Sequence, residues 1–336
     1  MSTNKTPQAD HEGSEAHMAS VGLGDILRSP TLGLAAEIVD DLERVRIANE
    51  NRLRQLTRTE EDSDGIVRGF ELDPRHPDVL RLQHLVDGLS ASYDEAVKNL
   101  QKTMRAHPLG AWVKKTSGVG EKQAARLLAA IGDPYWNDGF YPDPDGKIDK
   151  EGKVITYPRD RPRTVSELWA FCGYHVLPSG QHTIETQVPD AAGTNLHAGS
   201  HCSSDTQKTS APGVAARRKK GAKINWSTTA KMRAFLIAES CVKAKTSPYR
   251  KVYDETRAKY ADAVHKVPCE RCGPSGKPAL PGSALNPGHQ HARALRAISK
   301  AVLKDLWIES KRLHELQQMQ TMYDSDSNSG TSASAA

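Results

Sequence analysis

Apolar residues in the first third of the chain recur at the spacing of two long helices. Between residues 32 and 56 they stand among charged residues, at Ile38, Leu42, Val45, Leu53 and Leu56. After Pro77 a second series runs to His107, at Leu80, Leu85, Leu89, Tyr93, Val97, Leu100 and Met104. This periodicity predicts an antiparallel helical hairpin over residues 32–107. Two interpretations stay open: a helix pair inside the core, and a coiled coil that makes the protein a homo-oligomer.

The remaining chain predicts shorter helices and one small β-hairpin. Helical patterns cover residues 109–131, 164–173, 225–245, 249–264 and 291–316. The stretch between them is rich in aromatic, Pro, Asp and Gly residues, and it predicts a hairpin near residues 140–157. Alternation of strands with helices, the pattern of a parallel α/β fold, is missing. We therefore predict a mainly α protein whose helical hairpin is followed by a helical domain over residues 109–320.

Composition adds unfolded segments to this picture. Of 336 residues 37% are hydrophobic and 26% charged, which is low for a fully packed globule. Residues 1–30, about 185–212 and 323–336 are rich in small polar residues, and we expect them to be disordered. No apolar run reaches the roughly 18–20 residues of a membrane span, and a secretory signal is lacking. With five scattered cysteines, these features predict a cytoplasmic protein with reduced thiols and no membrane partner.

The segment WVKKTSGVGEKQAARLLAAIG, residues 112–132, predicts a helix-hairpin-helix. Two glycines let the turn approach a phosphate, and the amides at the start of the second helix face the anion. Lys122 lies in the first turn of that helix, where its charge opposes the helix dipole unless an anion is bound. The residues predicted to form this phosphate-binding surface are Lys114, Lys115, Gly118, Gly120, Lys122 and Arg126. The alternative is a turn between helices that uses its glycines only as a cap.

A dense basic run, AARRKKGAK at residues 215–223, follows the expected disordered segment. The next helix carries further cations, including Lys243 and Lys245, and the formal net charge of the chain is +5. Such a cluster binds nucleic acid by releasing counterions from phosphates, without sequence preference. The DNA contacts predicted here are Arg217, Arg218, Lys219, Lys220, Lys223, Lys231 and Arg233. A charged surface that faces only water remains the alternative.

The sequence PCERCG followed by GHQH has the residue types of a zinc site. Cys-x-x-Cys-Gly is a turn that directs two thiolates at one tetrahedral metal, and histidines at the start of the next helix complete the set. The predicted ligands of a structural zinc are Cys269, Cys272, His289 and His291. The other interpretation is a pair of reduced surface thiols.

The order of these segments resembles a known family. The chain is similar to the C-terminal domain of the DEDD insertion-sequence transposases in the order of its segments. These are the helical hairpin, HPL, GVGEKQAARLLAAIGD, RTVSELWAFCGY, a Ser-Gly, KKGAKIN, RAFLIAESCVKAKTSPYRKVYDE and ARALRAISKAVLKDLW. These are bacterial recombinases guided by a bridge RNA. The resemblance covers roughly residues 80–307, interrupted by two insertions and by the Cys/His stretch.

This resemblance implies a DNA-binding protein of transposition or recombination, with a guide RNA as a further partner. It also implies that Ser179 is a nucleophile that forms a covalent bond to DNA. The family's N-terminal Ruv-C-like domain, whose acidic residues bind divalent metal, has no counterpart here, because the first hundred residues predict helices. Their acidic residues, Asp40 and Glu43 among them, are interpreted as solvent-facing charges. Divalent metal would then come only with a catalytic partner domain.

Two function classes are consistent with these observations, and DNA binding belongs to both. One is a transposase-family protein that acts in strand transfer together with a partner. The other is a non-enzymatic accessory protein or regulator of a mobile element or phage. The chemistry of Ser179 separates them.

Overall fold

The computed structural model describes residues 27–137, 140–142, 147–148, 150, 152, 156–158, 161–177, 214–215, 224–274 and 277–329. This part of the chain is mainly helical, which confirms the predicted fold class. The helices, in chain order, are α1 (Pro30–Thr57), α2 (Pro77–Ala106), α3 (Gly110–Lys115), α4 (Glu121–Ile131), α5 (Val165–Phe171), α6 (Thr228–Lys243), α7 (Pro248–Lys259) and α8 (Pro287–Ser329).

Helices α1 and α2 form the predicted hairpin. Each begins with a proline, whose fixed φ suits the first helical position, and Ser29 Oγ caps α1 by accepting a hydrogen bond from Leu32 N. Tyr93 OH donates to Glu43 Oε1 in the middle of the pair. Leu27 O, just before α1, is 3.1 Å from His107 Nε2, just after α2. The start of α1 therefore lies beside the end of α2, and the helices are antiparallel.

One apolar core joins this hairpin to the other helices. Leu32 and Val39 of α1, and Leu100 and Met104 of α2, are buried together with residues of α4, α6 and α8. The far end of the hairpin is more open, with Leu85 64% exposed. The hairpin is thus part of the core at one end, and the coiled-coil interpretation of its open end stays a prediction.

Helix α8 packs against α5, α6 and α7. Its apolar side buries Leu295, Ile298, Val302, Leu303 and Leu306. No helix in the described ranges is both long and apolar enough to cross a bilayer.

Short antiparallel strand pairs fill the connections. The predicted β-hairpin is confirmed: β2 (Phe140–Pro142) pairs with β3 (Thr156–Pro158), and outside it β1 (Trp136–Asn137) pairs with β4 (Arg161–Pro162). A third pair, which the sequence did not predict, joins β5 (Val176–Leu177) to β6 (Val214–Ala215). Between residues 27 and 110 the strand-like contact that the structure describes is an isolated bridge, Glu61 to Val67, so this range holds no RNase H-type sheet.

The expected disordered tails are too long at both ends. Leu27 is 2% exposed and belongs to the core, so the ordered chain begins before residue 30. At the other end α8 continues to Ser329, past the predicted boundary at residue 323. A helix that has already formed gains one hydrogen bond for each added residue without a new nucleation cost, which lets polar residues of low helix propensity extend it. The rest of both tails, and residues 185–212, lie outside the described residues.

Candidate functional site

The turn at Gly118 and Gly120 connects α3 to α4, and its two glycines have different roles. Gly118 has a φ of +90°, and a Cβ there would lie 2.9 Å from both Cys241 Cα and Ser247 Oγ. Only glycine therefore lets this turn pack against the end of α6 and the start of α7. Gly120 has an ordinary φ of −75°, makes no side-chain cap and has open space beside its Cα. The start of α4 is consequently uncovered.

The α3–α4 turn lies beside the turn between α6 and α7. Ser117 Oγ and Thr246 Oγ1 are 2.7 Å apart and join the two turns by a hydrogen bond. Around them stand four exposed lysines, which we call the paired-turn surface: Lys114, Lys115, Lys243 and Lys245. Lys115 is within electrostatic range of Glu309, and none of the four forms an ion pair with a carboxylate in the described ranges. Two turns thus bring together lysines that are more than 120 residues apart in sequence.

Two of the predicted DNA contacts, Arg126 and Arg233, are buried instead. Their side chains are 2% and 6% exposed. Arg126 Nη2 bonds Glu43 Oε2 at 2.6 Å and also pairs with Asp40, while Arg233 Nη2 bonds Asp40 Oδ2 at 2.7 Å. The phosphate-contact prediction for both arginines is therefore wrong. Their charges are neutralised inside the fold, where a phosphate has no access.

Asp40 and Glu43 were interpreted from sequence as solvent-facing charges, and this interpretation is also wrong. They stand three positions apart on α1 and face the two arginines from α4 and α6. Burial raises the pKa of the Glu43 carboxyl, but the hydrogen bond and positive charge of Arg126 outweigh it, so the pKa lies below its ordinary value. We call Asp40, Glu43, Arg126 and Arg233 the buried ionic cluster.

Lys122 and Lys231, also predicted to contact DNA, are half-buried. Lys122 Nζ donates to Tyr93 OH at 2.9 Å and lies 3.7 Å from Glu43 Oε1, at the edge of the buried ionic cluster. This contact satisfies the lysine without an external anion, so its place in the first turn of α4 needs no phosphate. Lys231 lies over the ring of Trp226, 5.4 Å from its centroid.

The predicted nucleophile Ser179 and the basic residues Arg217, Arg218, Lys219, Lys220 and Lys223 lie outside the described residues. The strand pair β5–β6 does bring together the chain on either side of them. Leu177 pairs with Val214, and Val176 pairs with Ala215. The chain therefore leaves toward Ser179 and returns toward Arg217 at one place in the fold.

Three side chains of the α7–α8 connection and one from the first turn of α8 form a cluster that could hold a metal ion. The ligand atoms of His265, Cys269, Cys272 and His289 all lie within 4.8 Å of one another. Cys272 Sγ is 3.2 Å, and Cys269 Sγ 3.8 Å, from His289 Nδ1. Two thiolates and two imidazoles are the donor set of structural zinc sites.

His265 supplies the clearest sign that this cluster is built for a ligand. The residue is 4% exposed, and its Nδ1 lies 2.9 Å from Ser283 O. Its other ring nitrogen, Nε2, is buried and has no hydrogen-bond partner within the described chain. A backbone carbonyl that holds one ring nitrogen while the other faces the metal is the usual arrangement around a zinc-bound histidine.

The fourth member of the cluster is His265, and the prediction of His291 is wrong. Successive helical residues are rotated by about 100°, so His289 and His291 point to nearly opposite sides of α8. His291 Nδ1 instead lies 2.8 Å from Tyr253 OH on α7. His265 precedes Cys269 by four residues, and the pattern H-x3-C-x2-C could have identified it.

A small backbone frame positions the two cysteines. Cys269 N donates to Ala279 O at 2.9 Å, and Ala279 N donates to Cys269 O at 2.8 Å. A second bridge, Val264 to Ala284, brings His265 beside the chain that enters α8. The cluster thus fastens the end of the α7 segment to the start of α8.

Comparison of the chain with protein-family models, with curated proteins and with solved structures finds no match.

Proposed function

We propose that this chain is a DNA-binding protein of the DEDD insertion-sequence transposase family and acts in DNA transposition or recombination. The observation that carries the DNA-binding part is the paired-turn surface, where four exposed lysines surround two joined turns. The family part is supported by the order of sequence segments. A guide RNA is the further partner that the family implies.

The paired-turn surface has the chemistry of a phosphate site. The start of α4 carries amide hydrogens and the positive end of the helix dipole, and no side chain caps it. Glu121, the acidic residue of this first turn, is bonded by Arg105 at 2.8 Å. The surrounding lysines add net positive charge with little local compensation, which favours contact with a polyanion. Phosphate contacts at this place bind DNA without reading its sequence.

Replacing the four lysines Lys114, Lys115, Lys243 and Lys245 with glutamine is expected to weaken DNA binding equally for all sequences. Each lost phosphate contact should flatten the slope of log K against log salt by roughly 0.9. Fluorescence anisotropy of a labelled duplex at several salt concentrations measures both effects. A matched control removes four exposed charges from the helical hairpin, with Arg52, Arg54, Lys98 and Lys102 changed to glutamine. An equal loss in both variants would mean that net charge alone binds DNA, and the proposed surface would be wrong.

The catalytic form of the proposal assigns the nucleophile to Ser179. Its hydroxyl would lose a proton and attack phosphorus, the bond from phosphorus to one bridging oxygen of the backbone would break, and that oxygen would leave as a hydroxyl after taking up a proton, so that a serine–phosphate bond replaces a bond of the DNA backbone. The basic run at residues 217–223 would stabilise the charge on the phosphate oxygens. The metal would come from a separate Ruv-C-like domain.

We expect a covalent protein–DNA adduct only when such a metal-binding domain is supplied, and we expect Ser179→Ala to abolish it. Denaturing electrophoresis with end-labelled DNA detects the adduct. The isolated chain is expected to give weak or no strand cleavage, because nothing near Ser179 in sequence is an evident base for its hydroxyl proton. Binding without any adduct under these conditions would favour the alternative of a non-enzymatic accessory protein or regulator.

We also propose that His265, Cys269, Cys272 and His289 hold a structural zinc ion. Four protein ligands fill a tetrahedral site and leave no position for a reactive water, which separates this centre from hydrolytic zinc sites. The ion would fasten α7 to α8, because its ligands come from both sides of the connecting loop. In the described part of the connection before α8, residues 266–274 and 277–286, little apolar surface is buried apart from Leu285.

A further inference from the structure

Three cations gather on a face that is distinct from the paired-turn surface. Lys231 on α6 lies over Trp226, Arg296 on α8 lies 5.8 Å from the centroid of Tyr174, and Lys300 lies 3.8 Å from the centroid of Trp169. We call these three cations the α8 cation face. An aromatic ring attracts a cation through its π electrons but does not neutralise the charge of that cation.

Arg296 is held in a fixed orientation. Its Nη2 donates to Tyr174 O at 2.6 Å and to His175 O at 2.8 Å. The guanidinium has five N–H donors in a rigid plane, and Nε and Nη1 have no protein acceptor among the described residues. A guanidinium fixed in this way presents a preorganised fork to an oxyanion.

Hydrogen bonds from Tyr174 and Trp169 place Lys231 and Lys300 near Arg296. Tyr174 OH donates to Lys231 O at 3.0 Å, so the tyrosine under Arg296 also contacts the α6 turn that carries Lys231. Trp169 Nε1 donates to Lys300 O at 3.0 Å and places its ring under the Lys300 ammonium. Arg296 and Lys300 are four residues apart and share one side of α8.

The charges on this face repel one another. Burial first, and then the charge of Arg296, lower the pKa of both Lys231 and Lys300 below their ordinary values. Arg296 and Lys300 form no ion pair with a carboxylate in the described part of the chain. A bound anion would remove this repulsion.

The α8 cation face also lies where the candidate catalytic segment begins and ends. Tyr174 and His175, which accept from Arg296, lead directly into β5, and Ser179 follows β5 by two residues. Lys231 lies about 18 Å along α6 from Lys243, since twelve residues separate them. This face and the paired-turn surface therefore mark opposite ends of α6.

The geometry points to a phosphate-binding site formed by Lys231, Arg296 and Lys300. The phosphate is either one group of a nucleic-acid strand or a free phosphate ion. The inference rests on the proposed function, because it treats the α8 cation face as a second contact for the same DNA. The residues that support it are different from those of the paired-turn surface.

The test compares Arg296→Gln/Lys300→Gln with a control that removes two exposed charges from α2, Lys98→Gln/Lys102→Gln. Because Arg296 also supports the backbone of Tyr174, the single variant Lys300→Glu is measured as well, since its side chain donates no hydrogen bond to the described protein. One arm uses anisotropy of a labelled single-stranded oligonucleotide over a salt series. The other uses calorimetric titration with inorganic phosphate at constant ionic strength.

We expect the double variant to lose oligonucleotide affinity and to flatten the salt slope by roughly 0.7 for each lost contact, with the control unchanged. Lys300→Glu should show the same direction of change. Loss in the oligonucleotide arm identifies a strand phosphate, and loss in the inorganic phosphate arm alone identifies a free ion. If neither arm differs from the control, the site is wrong.

The paired-turn lysine variant, measured in the same assays, separates the two proposals. Loss of binding there, with the α8 cation face variants unchanged, would leave the proposed function standing and overturn this inference. The reverse result would support the phosphate site and contradict the paired-turn surface.

Discussion

Arg126→Met is expected to lower the free energy of unfolding by about 3 kcal/mol. The substitution keeps most of the side-chain volume and removes the charge that faces Asp40 and Glu43. Removing one partner of a buried ion pair typically costs 3–5 kcal/mol, because the remaining charge is left uncompensated. We take the lower end, since the two carboxylates are partly exposed and Arg233 still pairs with Asp40. Urea unfolding followed by circular dichroism measures the change.

Arg105→Met is the matched control for that measurement. Arg105 pairs with Glu121 at 2.8 Å, but its side chain is 58% exposed, and solvent screening leaves such a surface pair with little effect on stability. Equal destabilisation by the two substitutions would contradict the buried ionic cluster.

Lowering the pH is expected to reduce the free energy of unfolding through the same buried ionic cluster. The folded-state pKa of Glu43 is lowered from 4.5, so its contribution to stability is complete above that value and is lost as the pH falls through the folded pKa. Arg126→Met should weaken this acid dependence, because Arg126 is the partner that lowers the pKa of Glu43.

The second large effect concerns metal content. Protein purified without chelators is expected to contain one zinc per chain, and His265→Ala should reduce this to near zero. His291→Ala should retain the metal, because its ring faces Tyr253. Zinc content by elemental analysis decides between the two histidines. X-ray absorption should find two sulfur ligands near roughly 2.3 Å and two nitrogen ligands near roughly 2.0–2.1 Å.

Removal of the metal should also destabilise the α7–α8 connection. Structural zinc sites contribute directly to folding, and their ligands seldom form a preorganised site in the unfolded chain. Chelation of the wild type should therefore lower the unfolding temperature and increase hydrogen exchange in residues 260–290. The double variant Cys269→Ser/Cys272→Ser should show the same lower unfolding temperature and the same increase in hydrogen exchange without chelator. Metal-free protein with unchanged unfolding temperature and exchange would contradict a structural zinc.

The sequence predicted the features that depend on nearby residues. Helical periodicity identified each long helix, and the composition around residues 140–157 identified the β-hairpin. Cys269 and Cys272 were recognised because their spacing is itself the geometry of a metal-binding turn. His265 was missed although it stands only four residues before Cys269, because the histidines of the following helix were assigned as the remaining ligands.

Features that depend on distant residues could not be predicted in the same way. Arg233 and Asp40 are 193 residues apart, and no local pattern shows that they pair. Arg126 and Arg233 were assigned to DNA from their charge and from their positions beside the glycine turn and after the basic run, and their buried carboxylate partners on α1 could not be recognised from those local features. The lysines of the paired-turn surface gained their importance only when the fold joined their two turns.

Because β5 pairs with β6, the rest of the fold does not depend on the length of the segment between these two strands. Leu177 and Val214 are held side by side, so the helices on either side do not depend on how many residues run between them. In general, lengthening a chain segment whose two ends are held together costs little, about 0.6 kcal/mol for each doubling of its length. We therefore expect a fluorescent or affinity domain inserted between Leu177 and Val214 to leave the helical core folded.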